Sequence, residues 1–152
     1  MTVDERIRLL DGRCMSQHEL YLEALRLNPR YANAYNNLAA TMTAEERVEL
    51  PDGRHMSKRE LLSEHLRLDP RKAAAFGNLA SIATSATERI SLPDGRSMNQ
   101  RELYLEALRI DPRYIPALKK LAKIMTDTET ITLPDNQVMT RKQLRTYAAT
   151  LD

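Results

Sequence analysis

Tryptophan is absent from this chain, and phenylalanine and cysteine occur once each, as Phe76 and Cys14. A single thiol excludes an internal disulfide and fits a reducing, cytoplasmic setting. So few aromatic rings make stacking platforms for unpaired bases scarce. No charge sign dominates: 23 Lys and Arg face 21 Asp and Glu, a net charge of +2. The broad basic surface that nucleic acid needs is therefore not expected. No apolar run approaches the ~20 residues of a membrane span. The opening MTVDERIRLL lacks the apolar core and small-residue cleavage site of a secretory signal. With four glycines there is no glycine-rich phosphate loop. His18, His55 and His65 show no metal-ligand spacing. The expectation is a non-catalytic protein with no metal and no cofactor.

What the chain does have is repetition. Asp11, Asp52, Asp94 and Asp135 follow one another at separations of 41, 42 and 41 residues, and Pro29, Pro70 and Pro112 keep the same step. A fixed period of this size marks an array in which each unit packs on its neighbour. Residues 1–152 are thus expected to form a single array: a partial unit 1–43, units 44–85 and 86–127, and a closing hairpin and capping-type helix over 128–152.

Within one unit, Val48 and Leu50 alternate with charged residues, a period of two that suits a short strand. Pro51 presets a type I turn, and Gly53 supplies the left-handed residue after it. Asn136 takes the glycine's place in the last copy. A short β-hairpin or an ordered loop without a ladder would both fit. A helix start follows. Ser16, Ser57, Asn99 and Thr140 stand three residues before Glu19, Glu60, Glu102 and Gln143, the spacing of a capping box. Met15, Met56, Met98 and Met139 precede these caps, with Leu20, Leu61, Leu103 and Leu144 four beyond, which reads as a hydrophobic staple.

In the first such helix Leu20, Ala24 and Leu27 share a face that Tyr21 and Leu25 widen. Glu23–Arg26, Glu64–Arg67 and Glu106–Arg109 are three apart and predict a solvated ion-pair face. The second helix of each unit aligns Tyr35, Leu38, Ala39 and Met42, then Phe76, Leu79, Ala80 and Ala83, then Leu118, Leu121, Ala122 and Met125. Seven helices result. His65 stands where Ala24 and Ala107 stand elsewhere, and Gly77 sits inside a helix. On propensity and packing, changing either to alanine is expected to raise stability.

The stretch EALRLNPRYANAYNNLA resembles a tetratricopeptide repeat. The helix after the proline corresponds to the family's helix A, and the hairpin-led helix to its helix B. The ordinary repeat is 34 residues, so this chain resembles a long-period variant of 41–42 residues, with a hairpin inserted between helices A and B. The resemblance implies an all-α, right-handed helical-repeat solenoid with short hairpin insertions. It also implies a protein-binding scaffold that holds an extended peptide in a groove lined by the A helices.

On that analogy the groove face carries Asn33, Asn36, Asn37 and Asn78, then Lys119, Lys120 and Lys123, which would favour an acidic segment or a carboxylate terminus. Asn78 and Lys120 match two places of the carboxylate clamp of chaperone-binding members. Asn36, Pro116 and Ala40 depart from it, so chaperone-tail binding is not expected. A structural, self-associating array is the alternative. The first helix keeps Tyr21, Leu22 and Leu25 where the last has Arg145, Thr146 and Ala149, which suggests a homo-oligomer through the N-terminal helix. An RNA-binding repeat is disfavoured, because its code needs one recurring polar pair and the positions change from Asn36 to Gly77 to Lys119.

Overall fold

A computed structural model describes residues 6–152. The first five residues of the opening partial unit, and half of the stretch read for a secretory signal, lie outside it. The chain divides into two compact units at Pro70. The first contains β1 (Ile7–Arg8), β2 (Cys14–Met15), α1 (Gln17–Leu27), α2 (Ala32–Ala40), β3 (Arg47–Glu49), β4 (His55–Ser57) and α3 (Lys58–Leu68). The second, Arg71–Asp152, contains α4 (Ala73–Ser81), β5 (Ile90–Ser91), β6 (Ser97–Met98), α5 (Gln100–Ile110), α6 (Ile115–Ile124), β7 (Thr130–Thr132), β8 (Val138–Thr140) and α7 (Arg141–Thr150). Seven helices are thus present among the described residues.

Each hairpin is a true antiparallel ladder, with Val48 opposite Met56 and Ile131 opposite Met139. The turn closes by Gly53 N–H donating to the Leu50 carbonyl at 2.9 Å, while Arg54 N–H donates to Asp52 Oδ1 at 3.0 Å. Gly12, Gly53 and Gly95 have φ of 86°, 84° and 86°, and Asn136 has 66°. This is a type I turn followed by a left-handed residue. Nothing lies within 4 Å of a Cβ built on Gly53. Its role is conformational only. Gly53→Val is therefore expected to cost about 1–2 kcal/mol in urea denaturation, and Gly53→Asn only a fraction of that. An unchanged Gly53→Val midpoint would refute the assignment.

All four capping boxes form. Glu60 N–H donates to Ser57 Oγ at 3.3 Å, and Ser57 N–H donates to Glu60 Oε2 at 2.7 Å. Thr140 and Gln143 close the last one in the same way. A further arginine ties hairpin to cap: Arg47 Nη2 donates to the His55 carbonyl at 2.7 Å and lies 3.0 Å from Glu60 Oε2. Arg6 with Glu19 and Arg89 with Glu102 repeat it.

The second helices bury the side chains their spacing predicts. Tyr35, Leu38, Ala39 and Met42 are buried in the first unit; Phe76, Leu79, Ala80, Leu118, Leu121, Ala122 and Met125 are buried in the second. Ala83 is only half-buried. In the hairpin-led helices the buried stripe is Leu61, Leu62, His65 and Leu66 in α3, and Leu103, Tyr104, Ala107 and Leu108 in α5. Leu27 corrects the expected face of α1. It is 70% exposed, because the stripe runs through Leu25 instead.

Two further expectations change. His65 is fully buried against α2, and its Nδ1 lies 2.7 Å from the Ala32 carbonyl. A carbonyl only accepts, so Nδ1 carries the proton. The imidazole fills the crossing rather than forcing it open. Gly77 is not a slack position either: a Cβ there would lie 2.8 Å from Tyr114 Cε1.

Candidate functional site

The residues the sequence singles out fall on three helices. On α2, Asn33 and Asn37 are half-buried on adjacent turns. Asn36 is only 7% exposed, and its Nδ2 donates to Asn37 Oδ1 at 3.2 Å. It faces inward, and its place on an open groove face is withdrawn. On α4, Asn78 is half-buried.

On α6, Lys119, Lys120 and Lys123 are all exposed, the first and last one turn apart. Leu118, Leu121 and Ala122 fill the opposite, buried face of that helix. Lys119 Nζ donates to the Asp152 carboxylate. This face of α6 thus already receives one carboxylate. The neighbouring α7, which packs on α6, carries Lys142 and Arg145, both exposed.

On α1, Tyr21 and Leu22 are half-buried and Leu25 is 3% exposed. Leu25 is thus not available to a partner. Leu20, Tyr21 and Ala24 are half-open, whereas their counterparts Leu61, Leu62 and His65 in α3 are fully covered.

Outside α6, the charged side chains are largely committed to one another. Arg96 reaches Glu106 at 3.1 Å while holding Asp94 at 2.7 Å, and Arg109 holds the same Glu106 at 2.9 Å. In the first unit, Arg54 holds Asp52, and Glu64 holds Arg67. The i,i+3 pairs form as the ion-pair reading expects, and Arg54 and Arg96 extend them into a lattice between hairpin tip and helix. The hairpin arginines' part in it escaped that reading, although Arg54 and Arg96 recur one period apart.

The Arg109 guanidinium, then burial against it and Arg96, decide the ionisation of Glu106; the net effect holds its carboxyl below the ordinary value of 4.5. A carboxyl lowered by folding stabilises above its unfolded pKa, and that contribution fades as pH falls through the folded value. Glu106→Gln is expected to cost about 1 kcal/mol at pH 7, since the arginines are half exposed. The gap between variant and parent should narrow steadily in urea denaturation as pH falls from 5 to 3. A cost that does not change with pH would assign it to packing instead.

A cavity of about 640 Å³ lies beside Ser16, His18 and Thr41, and none of the groove residues lines it. His18 Nδ1 and Thr41 Oγ1 are 2.9 Å apart there, and Arg6 pairs with Glu19. Thr41 Oγ1 donates its proton to the Leu38 carbonyl at 2.7 Å, so His18 does not draw on it as a base would on a nucleophile. No three His, Cys, Asp or Glu side chains converge as a metal site would, among the described residues. None of the described helices is long and apolar enough to cross a membrane.

The sequence model of the tetratricopeptide repeat family matches residues 20–60. That stretch is a tetratricopeptide-like repeat. It runs from α1 through α2 and the β3–β4 hairpin to the first turn of α3, one full period of the chain. Tetratricopeptide repeats generally mediate protein–protein contacts, and they are generally non-catalytic. No curated protein matches the chain. The tetratricopeptide-like repeat here includes the hairpin within its span, so the insertion is part of the repeating element.

Proposed function

We propose that this chain is a non-catalytic, cytoplasmic scaffold, built as an array of sequence units 1–43, 44–85, 86–127 and 128–152. It binds an extended, acidic peptide along its A-type helices, with α6 as the charged contact. The match of residues 20–60 to the tetratricopeptide repeat carries the protein-binding part. The exposed Lys119, Lys120 and Lys123 support the acidic part, as does the Asp152 carboxylate beside Lys119. Asn33, Asn37 and Asn78 would add hydrogen bonds to a peptide backbone, since an amide both donates and accepts.

Fluorescence anisotropy with labelled acidic and basic decapeptides tests this. The acidic peptide should bind more tightly, and should weaken between 50 and 300 mM salt, because exposed charges are screened. Lys119→Glu with Lys123→Glu should abolish the preference. Equal binding of the two peptides by the unaltered chain would dispose of the proposal.

A second reading rests on α1. Its half-open Leu20, Tyr21 and Ala24 match a stripe that is covered in α3, so a second copy of the chain could seat there through Tyr21 and Leu22. Tyr21→Arg with Leu22→Thr should then shift sedimentation to a monomer. A monomer at all concentrations before the change would end this reading.

A further inference from the structure

The tips of two hairpins form the same small pocket twice. In the second unit it is lined by Leu108, Arg109, Pro112, Leu133, Pro134 and Asp135, and encloses about 170 Å³. In the first unit Leu25, Arg26, Pro29, Leu50, Pro51 and Asp52 line a pocket of about 130 Å³. Each of the six residues is 83 positions from its counterpart, two periods of the chain. Both pockets have a floor of two buried leucines and walls of two exposed prolines, with an exposed arginine and aspartate at the rim. Their volumes fall below the ~300 Å³ of small-molecule sites. They are close to the ~150 Å³ that holds a benzene ring. The fitting occupant is one apolar side chain.

The two copies differ in two residues. In the first pocket Tyr35 adds a wall, and its hydroxyl donates to the Pro29 carbonyl at 2.8 Å. Arg54 neutralises the rim Asp52 at 2.8 Å and reaches the Tyr35 hydroxyl at 3.3 Å. In the second unit these positions are Leu118 and Gln137. Gln137 offers Asp135 only its backbone N–H, at 3.1 Å, and Asp135 has no ion pair among the described residues. Arg109 is engaged by Glu106. The second pocket is therefore roomier, and its rim carries an exposed carboxylate without a counter-charge.

We infer that this second pocket is a peptide subsite that takes an apolar side chain followed by a basic one, the apolar group on Leu108, Pro112 and Leu133 and the cation at Asp135. It rests on the reading of the chain as a protein-binding repeat, but uses neither the A helices nor their lysines. The first pocket, smaller and internally neutralised, does not share the preference for a cation.

Amide chemical shifts of the full chain, titrated at low salt with capped tetrapeptides, test it. The probes are Gly-Leu-Lys-Gly, Gly-Leu-Glu-Gly and Gly-Ser-Lys-Gly. Gly-Leu-Lys-Gly should move the signals of Arg109, Leu133, Asp135 and Gln137, and bind about two- to fivefold more tightly than the glutamate peptide, as an exposed ion pair allows. The serine peptide should leave these signals in place. Asp135→Asn keeps an oxygen for the Gln137 N–H, so the hairpin survives, and it should erase the lysine preference while retaining binding through leucine. Equal affinity for the lysine and glutamate peptides, or shifts that ignore the leucine, would overturn the inference. The signals of Lys119, Lys120 and Lys123 report the acidic-peptide groove separately, so either site can fail without the other.

Discussion

Truncating His65 to alanine is expected to lower the melting temperature by about 6 °C, a loss of about 2 kcal/mol. Three terms compete. The imidazole is fully buried, so removing it leaves a cavity between α2 and α3, which costs about 2 kcal/mol or more. The hydrogen bond from Nδ1 to the Ala32 carbonyl goes too, worth about 1 kcal/mol. Against these, Nε2 is buried with no hydrogen-bond partner, and relieving an orphaned polar atom returns about 1 kcal/mol or more. Cavity and bond together win. His65→Leu separates the terms, since it removes the orphaned nitrogen and nearly keeps the volume. It should cost less than about 1 kcal/mol. Thermal melts of the two variants decide between a seated and an overpacked ring. An alanine variant as stable as the parent would restore the overpacked view.

The features legible in the sequence are those whose causes lie within a few residues. The turn at Leu50–Gly53 closes on its own backbone, and Gly53 must be left-handed for it to do so. The capping box at Ser57 and Glu60 is likewise complete within one turn. Helix faces were legible where the apolar stripe was broad, as in α6, whose three lysines project from the side opposite Leu118 and Leu121. They were less so on α1, where leucines at Leu20, Leu22, Leu25 and Leu27 leave the choice of inner face to neighbouring helices. Packing then buries Leu25 and exposes Leu27. Asn36 fails in the same manner. An asparagine reads as surface, but α1 and α3 both pack on α2, and the amide turns to Asn37. Arg47 recurs as Arg6 and Arg89, which the sequence reading passes over, and its partners at His55 and Glu60 meet only once the hairpin folds.

Gly77 and Tyr114 form the pair in which local and tertiary physics disagree most openly. Gly77→Ala alone is expected to destabilise the protein by about 1 kcal/mol, although alanine is the better helix former by about that amount. The reason is Tyr114, 37 residues on in the same unit, whose Cε1 would meet the new methyl at 2.8 Å and whose hydroxyl would lie at 3.3 Å. The ring cannot withdraw cheaply. It is half-buried, and burial holds its hydroxyl above the ordinary phenol range. Beside it, Ser81 Oγ donates to the Gly77 carbonyl at 3.0 Å and lies 3.2 Å from the Tyr104 hydroxyl, so α4 is pinned where the methyl would push. Overpacking of this kind costs about 1–3 kcal/mol, which exceeds the gain in propensity. Removing the ring should reverse the sign. In a Tyr114→Ala background, Gly77→Ala loses its contacts shorter than 3.5 Å and should stabilise by about 1 kcal/mol. A double-mutant cycle in urea should therefore return a coupling of about 2 kcal/mol between positions 77 and 114. If Gly77→Ala stabilises both backgrounds equally, the tyrosine yields freely and the glycine is merely a weak helix residue.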